Sequence, residues 1–388
     1  MGYVNFKEER YKATNQLKKR RENNKKLFDE LVKSRELPNI YNPDKEYSYK
    51  TFEEKHFGGG RILGEEEFSV ISNKDIICAV FNKCTFGNIK FDACSFIGCI
   101  FNECNFENGG VIFENCTFFK EESEKKPSLN RYDNFSCEFN NCSIYAKFDG
   151  CTLSYLIFDN SLIHNTYFIL SDMNSIIINN CELNRVRIED CDLSGAKIMG
   201  SYIIDLDFTD KMKTKLDEKT FFDKIELRKK DRNEYEGIYM TYETIADKFK
   251  ENSLNNNFGE YYYLCKRVER NVLKFTQRLA SDLYWATCGY GERPINALLF
   301  SFIVMIIFGV LYSIFGIEID DIVITIFNSN VFECLRQGII LSINLFSGVG
   351  ANESIPVNIS EILASVEILF GVIMMGIGTG VVVRKLVR

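Results

Sequence analysis

Residues 148–208 have the sequence FDGCTLSYLIFDNSLIHNTYFILSDMNSIIINNCELNRVRIEDCDLSGAKIMGSYIIDLDF, in which a large apolar side chain occupies every fifth position. The thirteen positions are Phe148, Leu153, Phe158, Ile163, Phe168, Met173, Ile178, Leu183, Ile188, Leu193, Ile198, Ile203 and Phe208. A period of five matches neither the 3.6-residue period of a helix nor the two-residue alternation of a strand. The pattern therefore predicts a stack of short repeats, none of which can bury its apolar face alone.

The same period extends toward the N-terminus with interruptions. It passes through Phe81, Phe86, Phe91, Phe96, Phe101, Phe106, Phe113, Phe118, Phe139 and Ile144. A small residue often stands two positions before the large one, and ten of the fourteen cysteines lie there. We expect the large residue to point inward, the cysteine to be a small buried residue without a disulfide, and Asn or Asp to form the corners. The charged segment 121–134 breaks the period and is predicted to be a loop.

Residues 76–208 resemble the pentapeptide-repeat family. The resemblance implies a right-handed quadrilateral β-helix with one pentapeptide on each side and four in each coil. Some members of that family are acidic rods that mimic DNA, which is an alternative for this part of the chain. Nucleic acid is not the expected partner, because such a role leaves the apolar C-terminal quarter unexplained. A scaffold that binds an unknown cytosolic ligand or protein is the other interpretation.

The segments that flank the repeats have helical patterns. Residues 7–36 are predicted to form a charged helix that either caps the end of the repeat stack, as solenoids require, or contacts another subunit. Residues 231–250 and 257–286 are predicted to form two further helices. In the second of these, four cations are spaced to lie on one helical face, which is either solvated or in contact with anionic lipid headgroups. They are Arg267, Arg270, Lys274 and Arg278.

Two stretches near the C-terminus are apolar enough to cross a bilayer, which takes about 20 residues. Residues 295–317 contain no charged residue, and residues 362–383 contain one acid. Lysine and arginine precede the first stretch and follow the second, so both chain ends are expected in the cytoplasm, with residues 318–361 outside. The protein is therefore predicted to be a multi-pass protein of the cell (plasma or inner) membrane.

The segment between the two spans has the plan of a potassium-channel pore. Residues 331–346 form an apolar stretch that is too short to cross, and a glycine-rich segment follows, as in a re-entrant half-helix and filter loop. Matched to the filter sequence Thr-Val-Gly-Tyr-Gly, this chain has Phe346, Ser347, Gly348, Val349 and Gly350. Both glycines, whose backbone dihedrals other residues disfavour, are retained, and the other three residues are replaced. An ordinary re-entrant loop, in which the glycines only form a turn, is the alternative.

Residues 294–388 thus resemble the two-span potassium-channel module, and the whole chain resembles pentapeptide-repeat proteins fused to such a module. The resemblance implies a homotetramer in membrane lipid, with four loops around one axis. The permeant species would be a monovalent cation, K⁺ or Na⁺, and we expect weak discrimination between them because Phe346 offers no oxygen in place of the threonine hydroxyl. Phe346 is also a candidate for an apolar constriction.

Five residues of the second span are candidate pore or gate residues. An acid within a span is functional by default, although Glu367 could instead snorkel or form hydrogen bonds behind the filter. Glycines in a pore-lining helix mark a bend or a close helix contact. They are Gly371, Gly376, Gly378 and Gly380.

The sequence contains no catalytic or metal-binding motif, so we expect neither an enzyme nor a cofactor. The predicted domains are an N-terminal helix and cap region at 1–75, the repeats at 76–210, a helical linker at 211–293 and a pore domain at 294–388. The function predicted from this plan is a tetrameric cation channel that is gated or assembled through its repeats. A non-conducting, membrane-anchored scaffold or sensor is the alternative.

Overall fold

The structure, a computed structural model, describes residues 4–35, 41–59, 68–106, 110–119, 135–351 and 354–387. The chain divides into two compact units, Gly2–Val268 and Glu269–Arg388. The predicted linker at 211–293 is therefore not a domain of its own, because its first part belongs to one unit and its last part to the other. The helices are α1 Phe6–Ser34, α2 Arg232–Glu251, α3 Asn255–Glu269, α4 Phe275–Cys288, α5 Pro294–Phe315, α6 Val331–Phe346 and α7 Ile359–Val387.

Most strands are only two to four residues long, as expected for the sides of small coils. In chain order they are β1 Thr51–Glu53, β2 His56–Phe57, β3 Ser69–Ser72, β4 Asp75–Ile77, β5 Val80–Asn82, β6 Thr85–Phe86, β7 Ile89–Asp92, β8 Ser95–Ile97, β9 Ile100–Asn102, β10 Asn105–Phe106, β11 Val111–Glu114, β12 Glu138–Asn140, β13 Ser143–Ile144, β14 Lys147–Asp149, β15 Ile157–Asp159, β16 Leu162–His164, β17 Tyr167–Ile169, β18 Ile177–Asn179, β19 Glu182–Glu189, β20 Lys197–Met199, β21 Tyr202–Phe208, β22 Phe221–Phe222, β23 Ile317–Ile319, β24 Ile322–Ile324 and β25 Ile355–Pro356.

The first unit is a β-solenoid of about seven turns, in which each strand pairs in parallel with the equivalent strand of the next coil. One face is the eight-stranded sheet β1-β5-β9-β12-β15-β18-β20-β22. The second and third faces run through β2-β6-β10-β13-β16 and β3-β7-β11-β14-β17, and the long strands β19 and β21 serve both. The fourth face is β4-β8, which isolated bridges from Ser95 through Thr117 to Thr152 continue. The predicted four-sided coil is thus present.

The inward positions are the ones that the five-residue period predicts. Phe81 pairs with Phe101 one coil later, and Phe101 pairs with Phe139 across the inserted segment. Their rings stack, with centroids 4.9 Å and 4.4 Å apart. Offset stacking contributes about 0.5–1.5 kcal/mol per pair beyond the burial of the rings, so each column of rings ties successive coils together.

The cysteines of the repeats are buried and free, as expected. The thiol of Cys104 donates to the carbonyl of Phe81 at 3.3 Å, and that of Cys142 donates to Phe101 at 3.3 Å. Each thiol thus links its own coil to a carbonyl of the preceding coil. Burial raises the pKa of Cys181 to about 12, so the thiol keeps the proton that it donates.

Corner residues adopt the left-handed conformation. Asn88, Asn141, Asn160 and Asn180 have φ between 48° and 55°, which matches the prediction that Asn forms corners. Lys83 and several other non-Asn residues share this conformation, with φ of 52° at Lys83. The predicted loop at 121–134 lies outside the described residues.

The solenoid begins before residue 76 and ends after residue 210, so both predicted boundaries are corrected. At the N-terminal end, Thr51 of β1 pairs with Val80, and His56 of β2 pairs with Thr85. At the other end, β22 pairs with β20. The sequence underestimated the length because Phe52 and Phe57 keep the period for only two repeats before it is interrupted.

Helix α1 lies along the side of the solenoid, so the prediction that it caps an end is wrong. The apolar residues of α1 cover apolar side chains that point outward from several coils. Those outward-facing side chains, like the core, are buried from water. Ala13 and Leu17 contact Ile157, Ile177 and Met199, and Leu31 lies in a cluster with Ile77, Cys78, Ile97 and Phe135.

Polar contacts fix α1 in this position. The buried guanidinium of Arg20 donates to the carbonyls of Tyr155 and Ser175, at 3.0 Å and 2.8 Å, and so bridges two coils. Burial lowers the pKa of Arg20 to about 10, which still leaves it charged at neutral pH. Arg21 lies 2.7 Å from the carboxylate of Asp159. These bonds cross-link successive coils from outside.

The C-terminal end of the solenoid is capped by α2 and α3. Phe249 of α2 and Tyr261 of α3 continue the apolar core of the last coil. The Tyr261 hydroxyl accepts from the amide of Phe222 at 2.9 Å and donates to its carbonyl at 2.8 Å, which satisfies the open edge of β22. Although burial opposes it, hydrogen bonds from Lys248 and Thr214 lower the pKa of Asp210 to about 2, so α2 is also held by an ion pair.

The second unit contains α4 to α7 and a small antiparallel sheet, β24-β23-β25. A hairpin joins β23 to β24 through Asp320 and Asp321, whose φ values of 50° and 65° suit a two-residue turn. The alternation of Ile317, Glu318 and Ile319 was a signal for this strand, which the sequence analysis missed. Because β25 also pairs with β23, the chain returns to the end of α5 before it enters α7.

Candidate functional site

Two helices of the second unit are long and apolar enough to cross a membrane. They are Pro294–Phe315, with a mean hydropathy of 2.6, and Ile359–Leu386, with 2.2. Pro294 stands at the start of α5, as predicted. Only 22% of the most apolar window of each helix is buried, whereas a core helix of a water-soluble domain would be mostly buried.

Helix α6 packs antiparallel to α5 at a very short separation. A Cβ atom added to Gly338 would lie 2.3 Å from the carbonyl oxygen of Gly309. Ser313 donates to the carbonyl of Cys334 at 3.1 Å, and Ser342 donates to that of Met305 at 2.8 Å. Small residues and hydroxyls at successive turns let the two backbones approach, which is how helices associate in lipid.

The side chain of Phe346 is buried within the single chain, so the prediction of an apolar constriction at Phe346 is not supported. It lies in a cluster with Ala297 and Val304 of α5 and Met374 of α7. The carbonyl oxygen of Phe346 would lie 2.2 Å from a Cβ atom on Gly371. The last residue of α6 is therefore held between the two long helices.

The segment from Ser347 to Gly350 forms a compact turn on the end of α6. The amide of Gly348 donates to the carbonyl of Leu345, and the amides of Val349 and Gly350 donate to that of Asn344. Gly348 has a φ of 77° and Gly350 a φ of 92°, in the region that only glycine adopts easily. The aligned filter tyrosine position, Val349, is 65% exposed.

Glu367 is completely buried at the junction of three helices. Its carboxylate accepts hydrogen bonds from the hydroxyls of Tyr312 in α5 and Ser342 in α6, the former at 2.6 Å. Ser342 also bonds to α5. Of the roles considered for this acid, hydrogen bonding behind the candidate filter segment fits these contacts, and snorkelling does not.

The four glycines of α7 differ in their surroundings. A Cβ atom at Gly371 would clash with the backbone of Phe346, whereas none of the other three would meet any atom within 4 Å. They are Gly376, Gly378 and Gly380. All four lie within one continuous helix. Close helix contact therefore explains Gly371 in the single chain, and the others face open space.

The predicted basic stripe does not form one helical face. The chain turns between Glu269, where α3 ends, and Phe275, where α4 begins. Arg267 lies in α3, and Arg270 lies in the turn. Lys274 directly precedes α4 as its N-cap residue, and Arg278 lies within α4. The i, i+3, i+7 spacing that suggested the stripe could not reveal this interruption, because Asn271 and Val272 are compatible with a helix.

A buried ion cluster joins the start of α5 to the end of α7, and the sequence analysis missed it. Glu292 is fully buried, and its carboxylate lies 2.9 Å from Arg384 and 3.5 Å from Lys385. The turn Gly289-Tyr290-Gly291 precedes Glu292 and brings it under the helix ends. The signal was an acid before the first span and two cations after the second.

Among the residues that the structure describes, no group of three or more His, Cys, Asp or Glu could hold a metal ion.

Comparison with known proteins identifies similarity to solved structures of β-solenoids. No protein-family model and no curated protein matches the chain. Among solved structures it is similar to QnrB1, a plasmid-mediated fluoroquinolone resistance protein, at 14% identity over 47% of this chain and 92% of that one, with a TM-score of 0.21.

Two pentapeptide-repeat proteins of cyanobacteria are also similar. Rfr23 of Cyanothece is 16% identical over 32% of this chain and 90% of its own, with a TM-score of 0.15. HetL of Nostoc is involved in the regulation of heterocyst differentiation. It is 8% identical over 42% of this chain and 86% of its own, with a TM-score of 0.11. QnrB1, Rfr23 and HetL are all pentapeptide-repeat proteins.

Proposed function

We propose that the chain is a subunit of a homotetrameric cation channel of the cell membrane. In this proposal α5 and α7 cross the bilayer, α6 enters it from the outer side, and Ser347–Gly350 lies near the axis where four subunits meet. The first unit lies in the cytoplasm with both chain ends. The plan is that of pentapeptide-repeat proteins fused to a two-span, potassium-channel-like module.

The observation that supports this best is the path of the chain between α5 and α7. The chain leaves the end of α5, and α6 follows α5 back as far as Met305 and Val304. It then returns to pair with β23, directly after α5. With 16 residues, α6 is about 24 Å long, less than the ~30 Å of a hydrocarbon core. If α5 spans the bilayer, α6 and its turn must enter and leave on one side.

The exposed turn after α6 is the reason to propose several subunits. Ser347, Gly348 and Val349 are exposed in the single chain. Irregular backbone at membrane depth is tolerated only where protein buries it or where it lines a water-filled cavity. Other copies of the same turn around a wet axis provide both conditions. The number four comes from the resemblance to potassium channels.

Weak discrimination between K⁺ and Na⁺ is part of the proposal. A selective filter needs several rings of carbonyl oxygens in fixed positions. Here Phe346 contributes no oxygen from its side chain, and the amides that follow bond back to α6. The same compact turn favours the second candidate function, a membrane-anchored scaffold or sensor that does not conduct.

Single-channel recording in planar bilayers tests the first function. We expect cation currents whose reversal potential shifts only slightly when K⁺ on one side is replaced by Na⁺. Phe346→Thr does not test selectivity alone, because loss of the phenyl ring would leave a cavity in the apolar cluster between α5 and α7. Strong K⁺ selectivity would contradict the predicted weak discrimination between K⁺ and Na⁺. Anion currents would contradict the proposal that the channel conducts cations. A sealed bilayer that contains inserted protein would support the scaffold.

The solenoid is proposed to control the open state or the assembly of the channel. A cytosolic ligand or protein that binds it must favour one state by its differential affinity. We expect that deleting Gly2–Val268, which leaves the second unit, changes the open probability. Recording the shortened and the complete chain side by side, with their masses in detergent, checks this. An unchanged open probability in an unchanged tetramer would leave the solenoid without either role.

A further inference from the structure

Helix α4 carries a stripe of large apolar residues that no part of the chain described by the structure covers. Phe275, Leu279 and Leu283 are 75%, 54% and 58% exposed. Their spacing of four residues places them along one side of the helix. An exposed row of this kind is unfavourable in water and needs an apolar partner.

The charges around the stripe suit an anionic surface. Asp282 is the only acid in α4, and Arg270 lies 3.3 Å from its carboxylate. The guanidinium of Arg270 also lies 5.4 Å from the centre of the Trp285 ring. Lys274 and Arg278 are exposed beside the stripe. The helix therefore presents apolar residues and positive charge, with its one negative charge neutralised.

The C-terminal end of α4 is fixed against the start of α5. The side-chain amide of Asn296 donates to the carbonyl of Trp285 at 2.9 Å, and the hydroxyls of Ser281 and Tyr290 lie 2.9 Å apart. If α5 enters the bilayer at Pro294, the last turn of α4 lies at the membrane boundary. The first turns of α5 also expose apolar residues, Ile295 and Leu298.

We infer that α4 lies in the plane of the cytoplasmic membrane surface. Its stripe enters the boundary between headgroups and acyl chains, and Lys274 and Arg278 contact anionic headgroups, as in interfacial amphipathic helices. The alternative occupant is a second copy of the chain. The inference rests on the two spans of the proposed function but not on conduction.

Trp285 is the only tryptophan of the chain, so the fluorescence of the unaltered protein reports directly on α4. The complete protein is placed in phosphatidylcholine–phosphatidylglycerol vesicles whose acyl chains carry bromine close to the headgroup. For a helix in the interface we expect bromine to remove about half of the emission and aqueous iodide to remove little. This result fixes one end of α4 at the membrane.

A probe at the N-terminal end of α4 distinguishes a helix that lies in the membrane plane from one that projects into water. Phe275 lies ten residues from Trp285, about 15 Å along the helix. We move the tryptophan with the pair Trp285→Phe and Phe275→Trp, and use Trp285→Phe with Gln277→Trp as the control on the polar side. We expect bromine to quench the probe at 275 as strongly as at 285, and iodide to quench the probe at 277.

Three results would overturn the inference. If iodide quenches the probe at 275 and bromine does not, α4 projects away from the membrane. If neither quencher reaches it, protein covers the stripe, and a second copy becomes the occupant. Equal quenching at 275 and 277 would mean that the stripe has no preferred side. Conduction in bilayers is read separately, so failure of the channel assignment and failure of this inference are distinguishable.

Discussion

Replacing Gly371 with alanine is expected to destabilise the second unit by about 2–3 kcal/mol or more, since a forced overlap in a packed core costs roughly that much. The added Cβ atom would lie 2.2 Å from the carbonyl oxygen of Phe346. A carbonyl at a helix end cannot rotate away as a flexible side chain can, so α7 must move off the end of α6. The same movement would stretch the bonds of Glu367 to Tyr312 and Ser342.

Gly376→Ala is the matched control, because a Cβ atom at Gly376 meets nothing within 4 Å in the same helix. Alanine is about 1 kcal/mol better than glycine inside a helix, so this variant is expected to be as stable as the native chain or more so. Thermal unfolding in detergent, followed by loss of the folded protein's peak in gel filtration, measures the stability of both variants. Equal stability of the two variants would contradict the close contact at Gly371.

The repeats were predictable from the sequence because each pentapeptide contains one large apolar residue at the position that points inward. Phe158 and Ile178 keep the five-residue phase, and the coil follows from it. The position of α1 was not predictable, because a thin apolar stripe does not specify its partner. The outward-facing Ile157, Ile177 and Met199 are what α1 covers, and a five-residue period that marks only inward residues gives them no distinct signal.

In the second unit the helices and the backbone of Gly348 and Gly350 could be anticipated, and the side-chain environment could not. An alignment to a filter places Phe346 in sequence but says nothing of which way its ring points. Its burial depends on the close approach of α7, which Gly371 permits. Glu292 and Arg384 are more than 90 residues apart in the sequence, so no local spacing connects them. Only the packing of the folded helices brings the two side chains together.

Removing the charge of Glu292 is expected to have the other large effect. In Glu292→Gln, Arg384 and the buried Lys385 lose their common anion. Breaking a buried ion pair by removing one partner costs about 3–5 kcal/mol, and the 39% exposure of the Arg384 side chain puts this case near the lower end. Glu333→Gln is the control, because both Glu333 and its partner Arg336 are exposed and a surface ion pair contributes little to stability.

A double-mutant cycle separates the pair from its surroundings. If Glu292 and Arg384 interact directly, the variant with both residues changed to glutamine should cost less than the two single changes together, by about 1–3 kcal/mol. Additive costs in the cycle would mean that Glu292 and Arg384 are neighbours without being partners.

The cluster also has a consequence for gating if the channel assignment holds. It ties the start of α5 to the end of α7, which are the helix ends that the proposed topology places at the cytoplasmic mouth. Opening that mouth requires the α7 ends to separate, so a bond made only in the closed state opposes opening. Each ~1.4 kcal/mol that Glu292→Gln removes from the closed state alone shifts the equilibrium tenfold toward open. We therefore expect a higher open probability for Glu292→Gln than for Glu333→Gln in the same bilayers. A tetramer that is less stable yet gates normally would assign the cluster to folding alone.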